Sequence, residues 1–319
     1  MTWLVTGGAG YIGAHVVHAL RAADERVVVL DNLSTGLAKR VPDDVPLVAG
    51  DVCDPATVDE VIRAHRPTGV IHLAARKDVG ESVRDPLGYY GDNLDGLRVI
   101  LAGAARLGVR DIVYSSSAAV YGPTETGRVT ESSPTTPGNP YGRTKLVGEW
   151  MLTDAAAAHG LRYAALRYFN VAGAGHPSLG DVGQTNLVPR LFRAVVDGRA
   201  AQVYGTGHPT PDGTCVRDYI HVGDLADAHL AAGRALREGR ISAEVLNVGR
   251  GAGVSVLEMI HTVRRVCDRP LPAEATPPRA GDPPHVVADA HRIADVLGWH
   301  ASRGLDEIIS SAWTAFPRS

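Results

Sequence analysis

The sequence predicts an α/β fold in which helices cover both faces of a parallel sheet and a smaller mixed α/β lobe follows toward the C-terminus. Three observations predict it. Short β-branched runs alternate with amphipathic segments from Trp3 to Tyr168, a glycine cluster separates the first run from the first such segment, and after Phe169 the chain becomes rich in Gly, Pro, Asp and Arg with shorter elements. Alternation of this kind is how a parallel sheet with crossover helices reads, and a glycine turn from strand to helix marks the Rossmann-type doubly wound arrangement. The 319 residues suffice for one large domain or two small ones. The expected division is 1–169 for the doubly wound domain, with some later segments returning to it, and 170–319 for the lobe that holds substrate.

Each element follows from its local pattern. Trp3-Leu4-Val5-Thr6 is the first strand, Gly13 to Ala23 the first helix and Arg26 to Leu30 the second strand. Leu47-Val48-Ala49, Gly69 to Leu73, Asp111 to Ser115 and Tyr163 to Tyr168 continue the sheet, each a short apolar run of the kind needed by a strand covered on both faces. About six or seven parallel strands are expected. Asn93 to Leu107 and Tyr141 to His159 repeat apolar residues at three and four, which is a helical period. In the second lobe Leu187 to Val196, Val222 to Leu236 and Val256 to Cys267 read as further helices, and Pro277-Pro278-Arg279 with Pro283-Pro284 marks a stiff loop. There is no internal repeat and no low-complexity tract.

Charge and cysteine content exclude several classes. Thirty-two Lys plus Arg against 35 Asp plus Glu leave a formal charge of -3 without a basic block, which argues against a nucleic-acid partner. Cys53, Cys215 and Cys267 cannot all pair and form no C-x-x-C, so a reducing, cytoplasmic setting without a metal site is expected. No apolar stretch approaches the roughly 20 residues that span a bilayer, and the start of the chain carries no basic region or cleavage site of a leader.

Thr6-Gly7-Gly8-Ala9-Gly10-Tyr11-Ile12-Gly13 follows a predicted strand and opens a helix, placing Gly7, Gly10 and Gly13 in a G-x-x-G-x-x-G pattern. Small residues there let backbone approach a pyrophosphate seated on the helix N-terminus, where N–H groups and the macrodipole favour negative charge. Asp31 closes the next strand, where a carboxylate accepts the adenine-ribose hydroxyls and repels a 2′-phosphate, so NAD is favoured over NADP. Asp51 ends the following strand; contact with the adenine edge and a plain loop carboxylate are equally open. Tyr141 and Lys145 stand at i and i+4, hence on one helix face. An ammonium near a phenol favours phenolate, and the expectation is a Tyr141 acidity shifted from about 10 toward neutrality, which suits a general base. Alone, Y-x-x-x-K is a common surface pattern; its weight comes from Ser115-Ser116-Ser117 at the carboxyl end of a strand, the edge where open parallel sheets bind ligands.

These features together resemble the extended short-chain dehydrogenase/reductase superfamily. Lys77-Asp78-Val79-Gly80-Glu81-Ser82, Ser115 to Gly122, Leu166-Arg167-Tyr168-Phe169-Asn170 and Asp212 to Val222 are similar, more specifically, to the UDP-glucose 4-epimerase family, and the likeness runs from Trp3 to about Trp313. The resemblance implies a homodimer built on helices Asn93 to Leu107 and Tyr141 to His159, with NAD tightly bound and recycled in place. It implies Ser117, Tyr141 and Lys145 as catalytic residues. For the cofactor it implies Gly7, Gly10, Tyr11, Ile12, Gly13, Asp31 and Asn32, then Asp51, Val52, Leu73, Ala74, Ala75, Lys77 and Asn93, together with Tyr141, Lys145 and Tyr168. For a UDP-hexose it implies Lys77, Ser117, Tyr141, Phe169, Asn170, Asn186, Leu187, Tyr204, Arg217, Arg279, Asp282 and Val286, with Tyr204 packing on the uracil and the arginines on the diphosphate.

Rival readings lie close by. A nucleotide-sugar 4,6-dehydratase needs an acid/base pair directly after the serine, where Ala118-Ala119 stand instead. A 4-reductase exchanging NADPH is disfavoured by Asp31, a uronate epimerase stays open, and a catalytically inactive nucleotide sensor or scaffold is disfavoured by the intact Ser117, Tyr141 and Lys145. Val286 replaces a bulky aromatic of some relatives and is expected to admit an N-acetyl group, so UDP-GlcNAc and UDP-GalNAc enter the substrate range. The short segment between Asp31 and Asp51 is expected to alter the adenosine cover; Ala14 and His208 also depart from the family pattern without a physical explanation.

Overall fold

The computed structural model describes residues 1–124, 127–183, 185–279 and 283–317. The chain builds β1 (Thr2–Thr6), α1 (Tyr11–Ala22), β2 (Arg26–Asp31), β3 (Leu47–Ala49), α2 (Pro55–His65), β4 (Gly69–His72), α3 (Val79–Arg84), α4 (Pro86–Tyr90), α5 (Gly96–Leu107) and β5 (Asp111–Ser117). It continues through β6 (Arg128–Val129), α6 (Pro140–His159), β7 (Arg162–Tyr168), β8 (Asn170–Ala172), α7 (Leu187–Asp197), β9 (Ala201–Tyr204), β10 (Val216–His221) and α8 (Val222–Arg237). It closes with β11 (Ala243–Val248), β12 (Gly253–Ser255), α9 (Val256–Cys267), β13 (Ala273–Thr276), β14 (His285–Ala288), α10 (His291–Leu297) and α11 (Leu305–Ala315).

Seven strands form one parallel sheet in the order β11-β7-β5-β4-β1-β2-β3, so the strand order reverses beside β1. Crevices at the carboxyl ends of strands next to such a reversal are where open α/β sheets bind ligands. Two apolar layers cover the sheet. One sets α1 and α8 residues such as Val16, Val17, Leu225 and Ala232 on Trp3, Val5 and Val29; the other sets Val58, Ile62, Leu97, Ile100 and Leu152 on Leu4, Val28, Val70 and Ile112. Residues 222–248 are late in sequence yet belong to this half: α8 packs on α1, and β11 pairs with β7. Among the described residues the second lobe has a small sheet around β10 and β14, a β9-β13 pair, and its own core around Phe192, Met259 and Trp313.

The structure lengthens or adds elements where capping and tertiary pairing act. Asp54 caps α2 by accepting from Ala56 and Thr57 N–H ahead of Pro55, a start signal absent from the periodicity alone. The helix expected from Asn93 is longer and irregular: α4 continues through a wide five-residue π turn, Gly91–Asp95, into α5. That turn buries Asn93, and single wide turns of this sort recur near functional sites. Asn139 accepts from Gly142 N–H at 2.8 Å and, with Pro140 in the first turn, fixes where α6 begins.

Candidate active site

The turn between β1 and α1 has room only for glycine at its key positions. Gly7 has φ +70°, and a Cβ there would lie 2.8 Å from the backbone nitrogen of Ala74; one on Gly13 would lie 2.1 Å from the Gly7 carbonyl oxygen. Gly10 starts α1 with no side chain capping it, so the first N–H groups face outward for an anion. Asp31, buried at the end of β2, accepts from Ala9 N–H at 2.9 Å and Leu33 N–H at 2.8 Å. A carboxylate has about four acceptor positions, so capacity remains for a ribose. A side-chain-free cradle, an uncapped helix start and a carboxylate at the end of the neighbouring strand fit a dinucleotide.

The other expected cofactor residues fall into two groups. Ile12, Val52, Leu73 and Ala74 are buried or partly buried, whereas Asn32, Asp51, Ala75 and Lys77 are exposed on loops at the carboxyl edge. Asn32 and Asp51 each accept from a backbone N–H two residues on, Ser34 and Cys53 respectively. Asn93 has a positioning part instead. Its amide accepts from Arg76 N–H at 2.8 Å and donates to Arg76 C=O and the Thr144 hydroxyl, both at 3.0 Å, tying the Lys77 loop to α6. Tyr11 donates to Gly173 C=O at 2.6 Å.

Beside the cradle, α6 and β5 meet in three rungs. Ser117 neighbours the Tyr141 phenol, Lys145 Nζ donates to Ser115 C=O at 2.7 Å, and Ser116 Oγ donates to Glu149 Oε1 at 2.5 Å. Tyr141, Lys145 and Glu149 are four residues apart, so one helix face supplies all three. Tyr168 on β7 closes the group by hydrogen-bonding Ser115 Oγ. The third rung was not visible as a site in the sequence. Glu149 is buried and gripped through both oxygens by Arg167, at 2.9 and 2.6 Å; Arg167 also donates to the Tyr121 hydroxyl at 3.1 Å, which in turn donates to Asn247 at 2.6 Å. A Glu four residues beyond the lysine and an Arg inside an apolar strand were the available signals.

The expected acid phenol is corrected by this geometry. Lys145 Nζ lies 5.8 Å from the Tyr141 ring centroid and is committed to a carbonyl. Burial pushes Tyr141 above its ordinary value, only partly opposed by the neighbouring Ser117 hydroxyl, and burial lowers Lys145 to about 7. Desolvation disfavours both charges, so the pair is best treated as one unit in which neutral phenol plus amine and phenolate plus ammonium hold the same proton count.

The residues expected to grip a nucleotide sugar are spread over loops and strand ends. Phe169 and Val286 are buried in one cluster with Val120, Tyr121 and Leu146, while Asn170 is exposed at the start of β8. Arg217 and Val286 are paired neighbours on β10 and β14. Asn186 and Leu187 open α7, and the Asn186 amide donates to Asp181 at 2.6 Å. Arg279 lies over the Tyr204 ring at 3.9 Å and Arg190 donates to its hydroxyl at 3.3 Å, holding that phenol below its ordinary value. One face of Tyr204 is therefore covered by a guanidinium, and a base would stack on its other face or displace Arg279. Asp282 lies outside the described residues. No helix among the described residues is long and apolar enough to cross a membrane.

The model of the NAD dependent epimerase/dehydratase family matches residues 3–249. A UDP-glucose 4-epimerase of Azospirillum brasilense is 47% identical, with 97% of this chain and 90% of that protein covered. Among solved structures, UDP-glucose 4-epimerase from Brucella ovis in complex with NAD is 42% identical with a TM-score of 0.94, covering 99% of this chain and 98% of that one. A UDP-glucose-4-epimerase from Stenotrophomonas maltophila with bound NAD and formylated UDP-arabinopyranose is 38% identical with a TM-score of 0.94, over 99% and 97%.

Proposed function

The chain belongs to the NAD dependent epimerase/dehydratase family, and from that premise we propose that it is a UDP-hexose 4-epimerase interconverting UDP-glucose and UDP-galactose. NAD would be held by the Gly7–Gly13 cradle and Asp31 and would supply a reversible hydride acceptor for sugar C4. The Tyr141–Lys145 unit accepts the proton of the sugar 4-hydroxyl as the C4–H bond breaks, leaving a 4-keto sugar, and returns a proton to the same oxygen when C4 is reduced. Ser117 hydrogen-bonds that oxygen in both states. The net redox change is zero. The observation that carries this reading is the α6/β5 ladder, in which Lys145 and Glu149 are tied to Ser115 and Ser116 and Tyr141 neighbours Ser117 at the carboxyl edge of the sheet that also bears the cradle.

Asn170, Asn186, Arg217, Arg279 and Asp282 contact the sugar, the diphosphate and the uridine ribose, with the arginines suited to the diphosphate, and Lys77 lies near the phosphates. Val286 in place of a larger ring leaves space beside the hexose, which supports turnover of UDP-GlcNAc. A homodimer through α5 and α6 is supported by Trp150, which leaves 59% of its surface exposed on α6. The three-cysteine content and the absence of a spanning helix among the described residues support a cytoplasmic setting.

The test is to denature purified protein, assay released cofactor by absorbance and mass, and follow UDP-galactose conversion without added nicotinamide. Stoichiometric NAD with epimerisation is the expected result. Protein that is inert until NADPH is supplied would replace an epimerase by a reductase. Val286→Tyr tests the sugar range: UDP-GlcNAc turnover should fall while UDP-glucose turnover persists, and undiminished N-acetylhexosamine activity removes Val286 from that role.

A further inference from the structure

The segment 173–183 leaves the second lobe and runs across the cofactor half, and residues of that half hold it. Tyr11 donates to Gly173 C=O, Gly175 N–H donates to His15 Nε2 at 2.9 Å, and Arg40 Nη2 donates to Gly180 C=O at 2.6 Å. His15 also contacts the Tyr11 carbonyl through Nδ1 at 2.8 Å, and burial lowers its ring to about 4, so at neutral pH Nε2 is an acceptor. Arg40 is only 4% exposed, and its buried Nε has no partner. From the other side the segment is fixed to α11: Ala174 N–H donates to Ser311, and a Cβ on Gly180 would meet the Ala315 carbonyl oxygen at 2.6 Å. It then leads to Asp181, which carries Asn186.

These contacts have a direction. Tyr11 and His15 stand on the helix whose first turn is the phosphate cradle, and Arg40 stands in the loop that begins at Asp31. The two elements that flank the cradle, the start of α1 and the segment after Asp31, therefore both bind the crossing segment. We propose that Arg40 and His15 latch the 173–183 strap over the cofactor half, so that NAD stays in the protein from one turnover to the next. This rests on the reading of the protein as an enzyme that recycles its own NAD. Arg40 carries most of the latch: its hydrogen bond is charge-assisted, it spans 140 residues, and Asp181 on the same segment adds a favourable charge beside it. Opening the strap strands a buried guanidinium, which makes opening rare.

Exchange of isotopically labelled NAD into purified holoenzyme, read by mass after denaturation, tests the latch. Arg40→Met should exchange about tenfold faster or more, the scale of a lost charge-assisted hydrogen bond. It should lose cofactor on gel filtration and recover wild-type kcat when NAD is added in excess. Arg40→Lys should fall between the two. Should Arg40→Met fail to fold, His15→Phe keeps the ring and removes the acceptor, and it should also speed exchange. Wild-type exchange rates in a folded Arg40→Met or His15→Phe protein overturn the latch while leaving the epimerase reading intact. A wild-type protein that carries no NAD at all overturns both.

Discussion

The two sides of the cleft are built on different principles. On the catalytic side Tyr141 and Lys145 project from the first two turns of a helix and Ser117 from the end of a central strand, and Lys145 ties the two elements together through Ser115 C=O. On the nucleotide side Asn186, Tyr204, Arg217 and Arg279 sit at helix starts, strand ends and loops, and Arg279 is exposed. Proton transfer needs heavy atoms within hydrogen-bond reach, whereas a diphosphate is gripped by several long side chains that can adjust. Rigidity is concentrated where the bond changes, and adaptability where the handle is held.

The comparison can be broken by substitution. Tyr141→Phe removes the proton acceptor and keeps the ring; kcat should fall about a thousandfold or more, within the usual range of general acid–base contributions, with NAD content and UDP affinity preserved by calorimetry. Retained turnover would place the base elsewhere. Arg167→Met leaves Glu149 buried without its partner and should cost about 3–5 kcal/mol, read as a large drop in thermal midpoint. If its stability is unchanged, the third rung does not hold α6.

Acid should weaken both halves next. Burial lowers His15, His221 and His229 to about 4 and His72 to about 3. Between these values and the ordinary 6.5 the unfolded chain binds more protons than the folded one, so stability rises with pH there and is lost as pH falls from 6.5 toward 4. Denaturant midpoints measured across that window should decline, and a flat profile would mean that these imidazoles are not neutral in the fold. The smallest effect belongs to the nucleotide side. Arg279→Met should raise KM about tenfold, a single lost guanidinium contact, with kcat and thermal midpoint nearly unchanged. A kcat loss comparable to that of Tyr141→Phe would erase the division between the two sides.

Legibility in the sequence followed the range of the interaction. The glycine turn and the Tyr141/Lys145 spacing are local, so they could be read and the structure places them together. Glu149 and Arg167 form one pair across 18 residues and two elements, and a charged residue in an apolar run carries no label saying which partner neutralises it. The acidity of Tyr141 was misjudged because spacing reports proximity but not burial, and here burial dominates both groups. The place of β11 was hidden for the same reason: Ala243 to Val248 is an ordinary strand whose neighbour is decided by tertiary pairing.

That late strand also governs how the protein can be made. When the chain has emerged only as far as β7, the edge of the parallel sheet is unpaired and Trp3 lacks α8, whose Gly233 lies against its indole. An open strand edge and bare aromatic surface are the features that draw nascent chains into aggregation. The first-made half cannot complete its sheet edge or cover Trp3 until residue 248 is available. The enzyme folds as an interleaved whole, and a cut near residue 169 yields a fragment missing its own border.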